Sequence, residues 1–466
     1  MYKPLTEQVL LKLSEIVGEE NLLVKSDALE PYSHDEVAEL HYIPEAVARA
    51  TTTGQVAAIM KLAQTERFPV TPRGAGQGLS GGAVPAEGGL VLSLERMNRI
   101  LEIDTENLIA TVEPGVITGN LHRAVEERGL FYPPDPASLD SCSIGGNIAE
   151  NSGGPRAVKY GVTKDYVVGL EAVLPGGEVI TMGGKVVKNV TGYSIIQLLL
   201  GSEGTLAVIT RILLRLIPLP KERIDLLVPF DDIRSATKSV SQIVEAKIVP
   251  VALEFMERDS LLACEKLLER EMPFRDAAAH LLITLDGADR ASMDADSERI
   301  GEICMGNGAV DVLVADNTPT RERLWEARKK LIEAVKHLSP QKIMETMDVV
   351  VPRSEIPALL DNVKEIAKEE ALRIVSFGHA GDGNVHVCVV KDMDDATWHA
   401  KMPRAAERIY GACVRLGGMI TAEHGVGLVR RQYLHHNIDP VQLALMKRIK
   451  ESFDPGYILN PAKIFP

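Results

Sequence analysis

The chain has little of what marks several broad classes of protein. Its five cysteines, at positions 142, 264, 304, 388 and 413, are scattered and include no CxxC pair. Such spacing predicts neither a disulfide framework nor a four-thiolate iron–sulfur cluster, and indicates a reducing compartment. No run approaches roughly 18 uninterrupted apolar residues, and the N-terminus lacks a basic-then-apolar signal pattern. We therefore expect a cytoplasmic protein without a transmembrane segment.

Basic residues are also in short supply. Lys and Arg number 51 against 65 Asp and Glu, which gives a formal net charge of −14. This balance argues against nucleic acid or an anionic membrane as the main partner, because both attract basic surfaces. The 466 residues, 45% hydrophobic and 25% charged, are typical of a globular protein with roughly two to four domains.

The hydrophobic periodicity predicts a mixture of helices and strands, and hence an α+β fold. Helices are predicted at 5–17, 53–66, 118–127, 232–246, 259–270, 295–304, 319–338 and 354–369, with a mostly helical stretch over 403–466. Strands are predicted at 68–71, 90–94, 108–112, 206–216, 251–257, 279–286, 310–314 and 372–377, with a hairpin over 170–181. Residues 132–154 are dense in Pro, Gly, Ser and Asn and predict no regular structure.

A glycine-rich loop follows the predicted strand 68–71. It reads Pro72-Arg-Gly-Ala-Gly-Gln-Gly-Leu-Ser-Gly-Gly82, and its glycines let consecutive backbone N–H groups face a pyrophosphate. A plain tight turn is the alternative interpretation. The spacing is neither that of a Rossmann fingerprint nor that of a P-loop, because no Gly-Lys-Ser/Thr follows.

Two histidine motifs near the C-terminal end carry the most chemistry. The first is His379-Ala-Gly-Asp-Gly-Asn-Val-His386, whose spacing suits a strand, a turn and a second strand, and the second is Glu423-His424-Gly425. Two imidazoles and a carboxylate match a divalent Fe, Zn or Mn ion with positions left open for substrate. The remaining imidazole, His424, is suited to act as an acid or base.

Seven motifs together resemble a known family of flavoproteins. They are PRGAGQGLSGG, PPDPAS, SIGGNIAENSGGP, KYGVTKDYV, GSEGTLAVIT, GHAGDGNVH and EHGVG, and the resemblance covers the chain from about residue 35 to Asn460-Pro461. The chain resembles the vanillyl-alcohol-oxidase-like flavoproteins and, more narrowly, the D-lactate dehydrogenase/glycolate oxidase FAD subunit group. That group includes the lactate dehydrogenase subunit that works with an electron-transferring flavoprotein.

The resemblance implies three parts. Residues 1–218 should form a two-part FAD-binding domain, and residues 219–420 an α+β substrate cap with an antiparallel sheet. Residues 421–466 should form a C-terminal helical segment that returns to the FAD domain.

The resemblance also implies how FAD is held. The first loop should wrap the pyrophosphate, and the later motifs should contact the ribityl chain, the isoalloxazine and the adenosine half. Because that loop carries Gln77 where some relatives attach flavin through a His, we expect non-covalent FAD. The residues expected to contact FAD are Pro72, Arg73, Gly74, Ala75, Gly76, Gln77, Gly78, Ser80, Gly81, Pro136, Ser138, Ser143, Gly145, Gly146, Asn147, Ser152, Gly153, Glu203, Gly204, Ile209 and Asn460.

The resemblance makes His379, His386 and Glu423 the expected metal ligands. A 2-hydroxy acid would chelate the ion, His424 would accept the hydroxyl proton, and a hydride would pass to flavin N5. Arg328 sits where relatives place a substrate-binding arginine, although it lies in a highly charged stretch in which a solvated side chain is the plainer interpretation.

The sequence leaves substrate and electron acceptor open. Thr346 stands where relatives that take dicarboxylates use a Lys, which favours D-lactate, with glycolate or another 2-hydroxy acid as the alternative. The alternatives from other functional classes are a metal-dependent hydrolase and a flavin-binding scaffold without activity. For the acceptor we rank an electron-transferring flavoprotein first, ahead of a quinone or O₂; other relatives use an iron–sulfur subunit or cytochrome c.

Overall fold

The computed structural model describes residues 2–315, 317–392 and 395–466 and divides the chain into two compact units. The first unit is built from Met1–Gly153, Val162–Leu219 and Glu423–Pro466. The second unit consists of Gly154–Gly161 and Pro220–Ala422. The short segment Gly154–Gly161 therefore leaves the unit that contains its neighbours in sequence, a feature that the sequence analysis did not anticipate.

Helices and strands alternate along most of the chain. The helices are α1 Glu7–Val17, α2 Ser26–Leu29, α3 Thr53–Glu66, α4 Thr118–Glu126, α5 Ile144–Glu150, α6 Ala157–Tyr160, α7 Ile195–Leu199, α8 Ile233–Glu245, α9 Arg258–Leu268, α10 Arg290–Gly306, α11 Thr318–Lys329, α12 Leu331–Lys336, α13 Ile356–Glu370, α14 Trp398–Arg415 and α15 Pro440–Phe453. The strands are β1 Leu22–Leu23, β2 Ala46–Arg49, β3 Val70–Arg73, β4 Leu90–Ser93, β5 Ile100–Asp104, β6 Ile109–Val112, β7 Leu130–Phe131, β8 Val167–Val173, β9 Val179–Gly183, β10 Val208–Arg215, β11 Ile217–Pro218, β12 Glu222–Phe230, β13 Ala252–Glu257, β14 Ala279–Gly287, β15 Leu313–Ala315, β16 Met344–Val350, β17 Arg373–His379 and β18 Asn384–Val390.

The first unit contains two main sheets. In the smaller, ordered β1-β2-β4-β3, strand β4 runs parallel to both β2 and β3, and the apolar side chains of α1 and α3 bury against this sheet. In the larger, ordered β5-β6-β10-β8-β9, neighbouring strands are antiparallel. Pairing of β8 with β9 confirms the predicted hairpin over 170–181. Strand β3 ends at Arg73 and so delivers the chain directly into the glycine-rich loop.

The prediction that residues 132–154 contain no regular structure is wrong. Helix α5 begins after Ser143, whose side chain accepts the N–H of Gly146, and it ends at Asn151, which has a left-handed φ of +57°. Two good caps compensate for glycine and asparagine within the helix, which are weak helix formers.

The second unit is built around one seven-stranded sheet ordered β15-β12-β14-β13-β17-β18-β16, whose neighbouring strands are antiparallel. Strands β12 and β16 were not predicted. Residues 224–230 of β12 are buried without interruption, and residues 346–349 of β16 likewise, so neither strand shows the alternation that marks a half-exposed strand.

The single helix predicted over 319–338 is also wrong, because the structure has two helices, α11 and α12, that meet at Lys330. Its φ of −88° and ψ of 0° turn the chain between them. The turn lets Leu331, Ala334 and Val335 of α12 join the core of the second unit. Periodicity of a charged segment could not reveal the break, since both halves follow a helical repeat.

Candidate active site

A groove in the first unit begins at the glycine-rich loop. Among the described residues, none of the hydrogen bonds uses the backbone N–H groups of residues 74–78. Unpaired backbone N–H groups that point along one loop form a concave site for an anion. The groove is open to solvent, and besides this loop it is lined by residues of helix α5 and of the segment 202–209.

Sixteen of the twenty-one residues expected to contact FAD line this groove. They are Pro72, Arg73, Gly74, Ala75, Gly76, Gln77, Gly78, Ser138, Ser143, Gly145, Gly146, Asn147, Ser152, Glu203, Gly204 and Ile209. Its wall also includes residues that the sequence analysis did not single out, namely Gly82, Ala83, Leu94, Pro114, Cys142, Ala149, Glu150, Ser202, Ala207 and Val208. Ala149, Ala207 and Val208 lie within the motifs SIGGNIAENSGGP and GSEGTLAVIT, whereas Ala83, Leu94, Pro114 and Cys142 lie outside every motif and no sequence signal identified them.

The five remaining expected residues, Ser80, Gly81, Pro136, Gly153 and Asn460, are not among those that line the groove. Asn460 is 2% exposed, and its amide Nδ2 donates to the carbonyls of Gly82 and Glu203. The N–H of Gly81 donates to Asp35, and the carbonyl of Ser80 accepts the N–H of Leu428. Asn460 thus anchors Gly82 and Glu203 of the groove wall, and the bonds of Ser80 and Gly81 anchor the end of the glycine-rich loop.

The Arg73 side chain serves the same purpose. Its guanidinium donates to the carbonyls of His34 and Ala83 through Nη1 and to that of Pro31 through Nη2, at 2.8 to 3.3 Å. A Cβ at Gly76, where φ is +74°, would lie 2.1 Å from Nη2. The loop therefore needs glycine at position 76 so that the arginine can pass beneath it.

Two carboxyl groups, Glu150 and Glu203, lie in the wall of the groove. Burial, reinforced by the charge of Glu203, raises the pKa of Glu150 well above its usual range. Burial also raises the pKa of Glu203, although that carboxylate accepts the N–H groups of Val426 and Gly427 at 2.7 and 2.6 Å. Among the described residues, Glu150 Oε2 has no hydrogen-bond partner, which leaves a polar atom for a ligand.

The groove fits FAD by the chemistry of its donors. Free N–H groups suit a pyrophosphate, and the oxygen of Glu150 suits a polar group on the cofactor. The glycine-rich loop also packs closely against the start of α5. A Cβ at Gly74 would lie 2.3 Å from Ser143 Oγ and would fill the space beside the N-terminus of that helix.

The second unit brings His379 and His386 together. Strands β17 and β18 pair so that Phe377 lies opposite His386, and His379 follows two residues after Phe377. Residues opposite each other, and residues two apart, point to the same face of a sheet. Both imidazoles therefore share one face, with ring centroids 5.3 Å apart. This confirms the predicted strand, turn and strand.

A buried carboxylate, Glu254, joins His379 to Arg328. Glu254 on β13 is the cross-strand partner of His379, and its Oε1 lies 2.9 Å from His379 Nδ1. Arg328 Nη2 lies 2.6 Å from Glu254 Oε2, and the guanidinium carbon is 5.4 Å from the ring centre of Phe377. Although burial alone raises it, the charges and hydrogen bonds of His379 and Arg328 hold the pKa of Glu254 below its usual value.

Arg328 is buried, so the alternative interpretation of a solvated side chain on a charged helix is wrong. Arg328 is 5% exposed, and its Nε has no hydrogen-bond acceptor among residues 2–315, 317–392 and 395–466. A buried guanidinium with an unused N–H is a ready donor for a carboxylate ligand.

Asp348 on β16 holds the second histidine and the chain beyond it. Its Oδ1 accepts the amide of Asn384 at 2.8 Å and lies 3.6 Å from His386 Nδ1. Its Oδ2 accepts the hydroxyl of Thr421 at 3.0 Å and the N–H of Ala422 at 2.9 Å. The sequence analysis missed Asp348 and Glu254, because both reach the histidines through sheet pairing with distant strands.

Glu423 and His424 belong to the first unit, directly after Ala422, the last residue of the second. His424 Nε2 lies 3.9 Å from Glu423 Oε1. A Cβ at Gly425, where φ is +79°, would lie 2.1 Å from Glu150 Oε2, which accounts for the glycine in this motif. The structure thus brings together His379, His386 and Arg328 in one unit and Glu423 with His424 in the other.

The folds of both units and the groove define a class, the vanillyl-alcohol-oxidase-type flavoproteins. Residues 44–183 match an FAD binding domain, and residues 219–464 match the C-terminal domain of the FAD linked oxidases. The chain belongs to the FAD-linked oxidase family and is an FAD-dependent oxidoreductase.

Known proteins align with nearly the whole chain. It is 42% identical to the glycolate oxidase subunit GlcD of Bacillus subtilis (strain 168), over 99% of this chain and 97% of that one. It is 39% identical to a D-lactate dehydrogenase of Anaerostipes hadrus, over 99% and 98%. The solved structure of 4-ethylphenol oxidase from Gulosibacter chungangensis has a TM-score of 0.80 at 21% identity, over 98% and 97%, which shows a shared fold.

None of the helices that the described residues form is both long enough and apolar enough to cross a membrane.

Replacing Gly74 with alanine is expected to weaken FAD binding. Displacing Ser143 Oγ, 2.3 Å from the new Cβ, removes the N-cap of α5, a loss of about 1 kcal/mol or roughly fivefold in Kd. Fluorescence titration of apoprotein with FAD measures the change. Gly54→Ala is the matched control, since the nearest atom to its Cβ is 3.9 Å away. Equal Kd values for the two variants would contradict this description of the groove.

Proposed function

We propose that this chain oxidises a small D-2-hydroxy acid, D-lactate to pyruvate before others, with non-covalently bound FAD. The observation that carries the proposal is the pair of buried imidazoles on one face of the β17–β18 hairpin, beside a buried arginine with an unused N–H. Imidazoles suit a divalent ion, and the arginine suits a carboxylate. Relatives named glycolate oxidase subunit GlcD and D-lactate dehydrogenase support the same substrate class.

His379, His386 and Glu423 hold a divalent Fe, Zn or Mn ion in this proposal. The N–H of Ala422 is fixed by Asp348, and the peptide link keeps the Cα of Glu423 about 3.8 Å from that of Ala422. Asp348, the cross-strand partner of His386, therefore also fixes Ala422, the last residue before the Glu423 motif. The ion would supply Lewis acidity toward the substrate hydroxyl.

The other side chains then have distinct tasks. Arg328 binds the substrate carboxylate through its unused N–H, which fixes the hydroxyl-bearing carbon. His424 accepts the hydroxyl proton at Nε2, the nitrogen nearer to Glu423. FAD, when bound, supplies the acceptor for the hydride that leaves the substrate carbon. The groove residues hold the cofactor through the backbone of residues 74–78.

Thr346 favours a small monocarboxylate. It lies on β16 two residues before Asp348, on the same face of the sheet, and is only 8% exposed. Its hydroxyl lies 3.8 Å from Cys388 Sγ. A second carboxylate would meet no cation from this position, so a dicarboxylate gains less here than D-lactate.

Glycolate is the second candidate substrate. A protein named glycolate oxidase subunit GlcD is 42% identical to this chain, and glycolate lacks only the methyl group of lactate. A metal-dependent hydrolase receives no support, because the chain belongs to a family of oxidases.

Anaerobic D-lactate is expected to bleach the flavin absorbance of the purified holoprotein, faster than L-lactate, D-2-hydroxyglutarate or glycolate. Prior treatment with a chelator, or the changes His379→Ala and His386→Ala, should slow bleaching because the hydroxyl loses its Lewis acid. Stopped-flow absorbance with this substrate panel measures the rates.

His337→Ala is the control for these variants, since His337 is exposed and lies on the same unit. It should bleach at the unaltered rate. Full activity of metal-free protein, or a faster reaction with D-2-hydroxyglutarate than with D-lactate, would overturn the metal or the substrate assignment respectively.

Replacing His424 with asparagine is expected to lower the rate of flavin reduction by about 10² to 10⁴, because a positioned proton acceptor contributes that much. FAD content and metal content should stay unchanged. His41→Asn, at an exposed histidine of the same unit, is the matched control. A loss below threefold in His424→Asn would assign the proton to another group.

We place an electron-transferring flavoprotein first among the acceptors. The formal charge of −14 suits a protein partner with a basic docking face, and the sequence has no cysteine spacing typical of an iron–sulfur cluster. Reduced protein, mixed anaerobically with each acceptor, should pass electrons to an electron-transferring flavoprotein faster than to cytochrome c or a quinone analogue. The rate should fall with added salt. Faster oxidation by either alternative would reverse the ranking.

A further inference from the structure

Glu254 has no task in the proposed chemistry, although it is a fully buried charge beside the histidine pair. Its side chain is 0% exposed. The pairing of β13 with β17 sets Glu254 directly opposite His379, so both side chains rise from the same face of the sheet. A buried carboxylate is retained at such a position only when donors surround it.

The contact geometry fixes the proton on His379. An ionised carboxylate can only accept hydrogen bonds, and His379 Nδ1 lies 2.9 Å from Glu254 Oε1. Nδ1 therefore carries the hydrogen and donates it. The lone pair of the neutral ring is then on Nε2, which is the nitrogen that would bind an ion.

The same carboxylate also governs Arg328. The guanidinium Nη2 lies 2.6 Å from Glu254 Oε2 and 3.4 Å from His379 Nδ1. A buried guanidinium so close to a metal ligand would repel a divalent cation if its charge were not balanced. Glu254 supplies that balance, while it holds the guanidinium against the ring of Phe377.

We infer that Glu254 is a positioning residue for the metal, which directs Nε2 of His379 toward the ion and offsets the charge of Arg328. The inference rests on the proposed function, since it takes His379 as a metal ligand. Removal of either effect lowers the affinity for a divalent cation. Partners of this kind typically contribute 10- to 100-fold to metal affinity.

Glu257 provides an unusually close comparison. It lies on β13 three residues after Glu254, but its carboxylate contacts Lys364 Nζ at 3.2 Å and the N–H of Ser376. Neither partner is a histidine. A change at Glu257 therefore tests the removal of a carboxylate from this strand without touching His379.

The experiment uses the full-length flavin-loaded chain and Co²⁺, whose visible absorption reports its ligands. Dissociation constants are measured by titration for the unaltered chain, Glu254→Gln, Glu254→Ala, Glu257→Gln and His379→Ala. Glu254→Ala should raise the Kd for Co²⁺ about 10- to 100-fold and shift the absorption bands. Glu254→Gln, whose amide oxygen still accepts from Nδ1, should raise it less. Glu257→Gln should leave Kd and spectrum unchanged.

Flavin content and Tm show whether each variant is folded. If Glu254→Ala unfolds, Glu254→Gln still tests the inference, because it preserves the shape of the side chain. Weak binding by His379→Ala with unaltered binding by folded Glu254→Gln and Glu254→Ala overturns the inference alone. Unaltered binding by His379→Ala overturns the proposed metal site and, with it, the role of Glu254.

Discussion

The register of one hairpin determines the placement of the two histidines on which the proposed mechanism depends. Strands β17 and β18 pair with Phe377 opposite His386. The imidazoles of His379 and His386 therefore share one face of the sheet. A slip of one residue would send one ring to the opposite face, since side chains alternate along a strand. The neighbouring strands on either side, β13 and β16, each add a buried carboxylate to that face, Glu254 beside His379 and Asp348 beside His386.

The groove of the first unit follows a different physical rule. The donors that we propose for the cofactor are backbone N–H groups of residues 74–78, and the shape of the groove is maintained by side chains that use their own polar atoms internally. Arg73 and Asn460 illustrate this, as each donates to backbone carbonyls. We therefore expect backbone donors, rather than an ion pair, to hold the phosphates of the cofactor.

Much of this arrangement could be predicted from local sequence. The glycine loop after β3 and the histidine spacing were readable because each feature depends on residues close together in the chain. The resemblance of the motifs also predicted membership of the FAD-linked oxidase family, which the matches to its two domains confirm. Glu254 could not be found this way, since it meets His379 across 125 residues through sheet pairing. Helix α5 was missed because capping by Ser143 and Asn151 outweighed a composition typical of loops.

The central claim is that one divalent ion is bound by the imidazoles of the hairpin. Crystals of the holoprotein, measured just above and just below the absorption edge of the metal found in it, would test this most directly. The account predicts one anomalous peak about 2.0 to 2.2 Å from the Nε2 atoms of both His379 and His386. A fully occupied metal peak elsewhere in the protein, with none between these two rings, would contradict it.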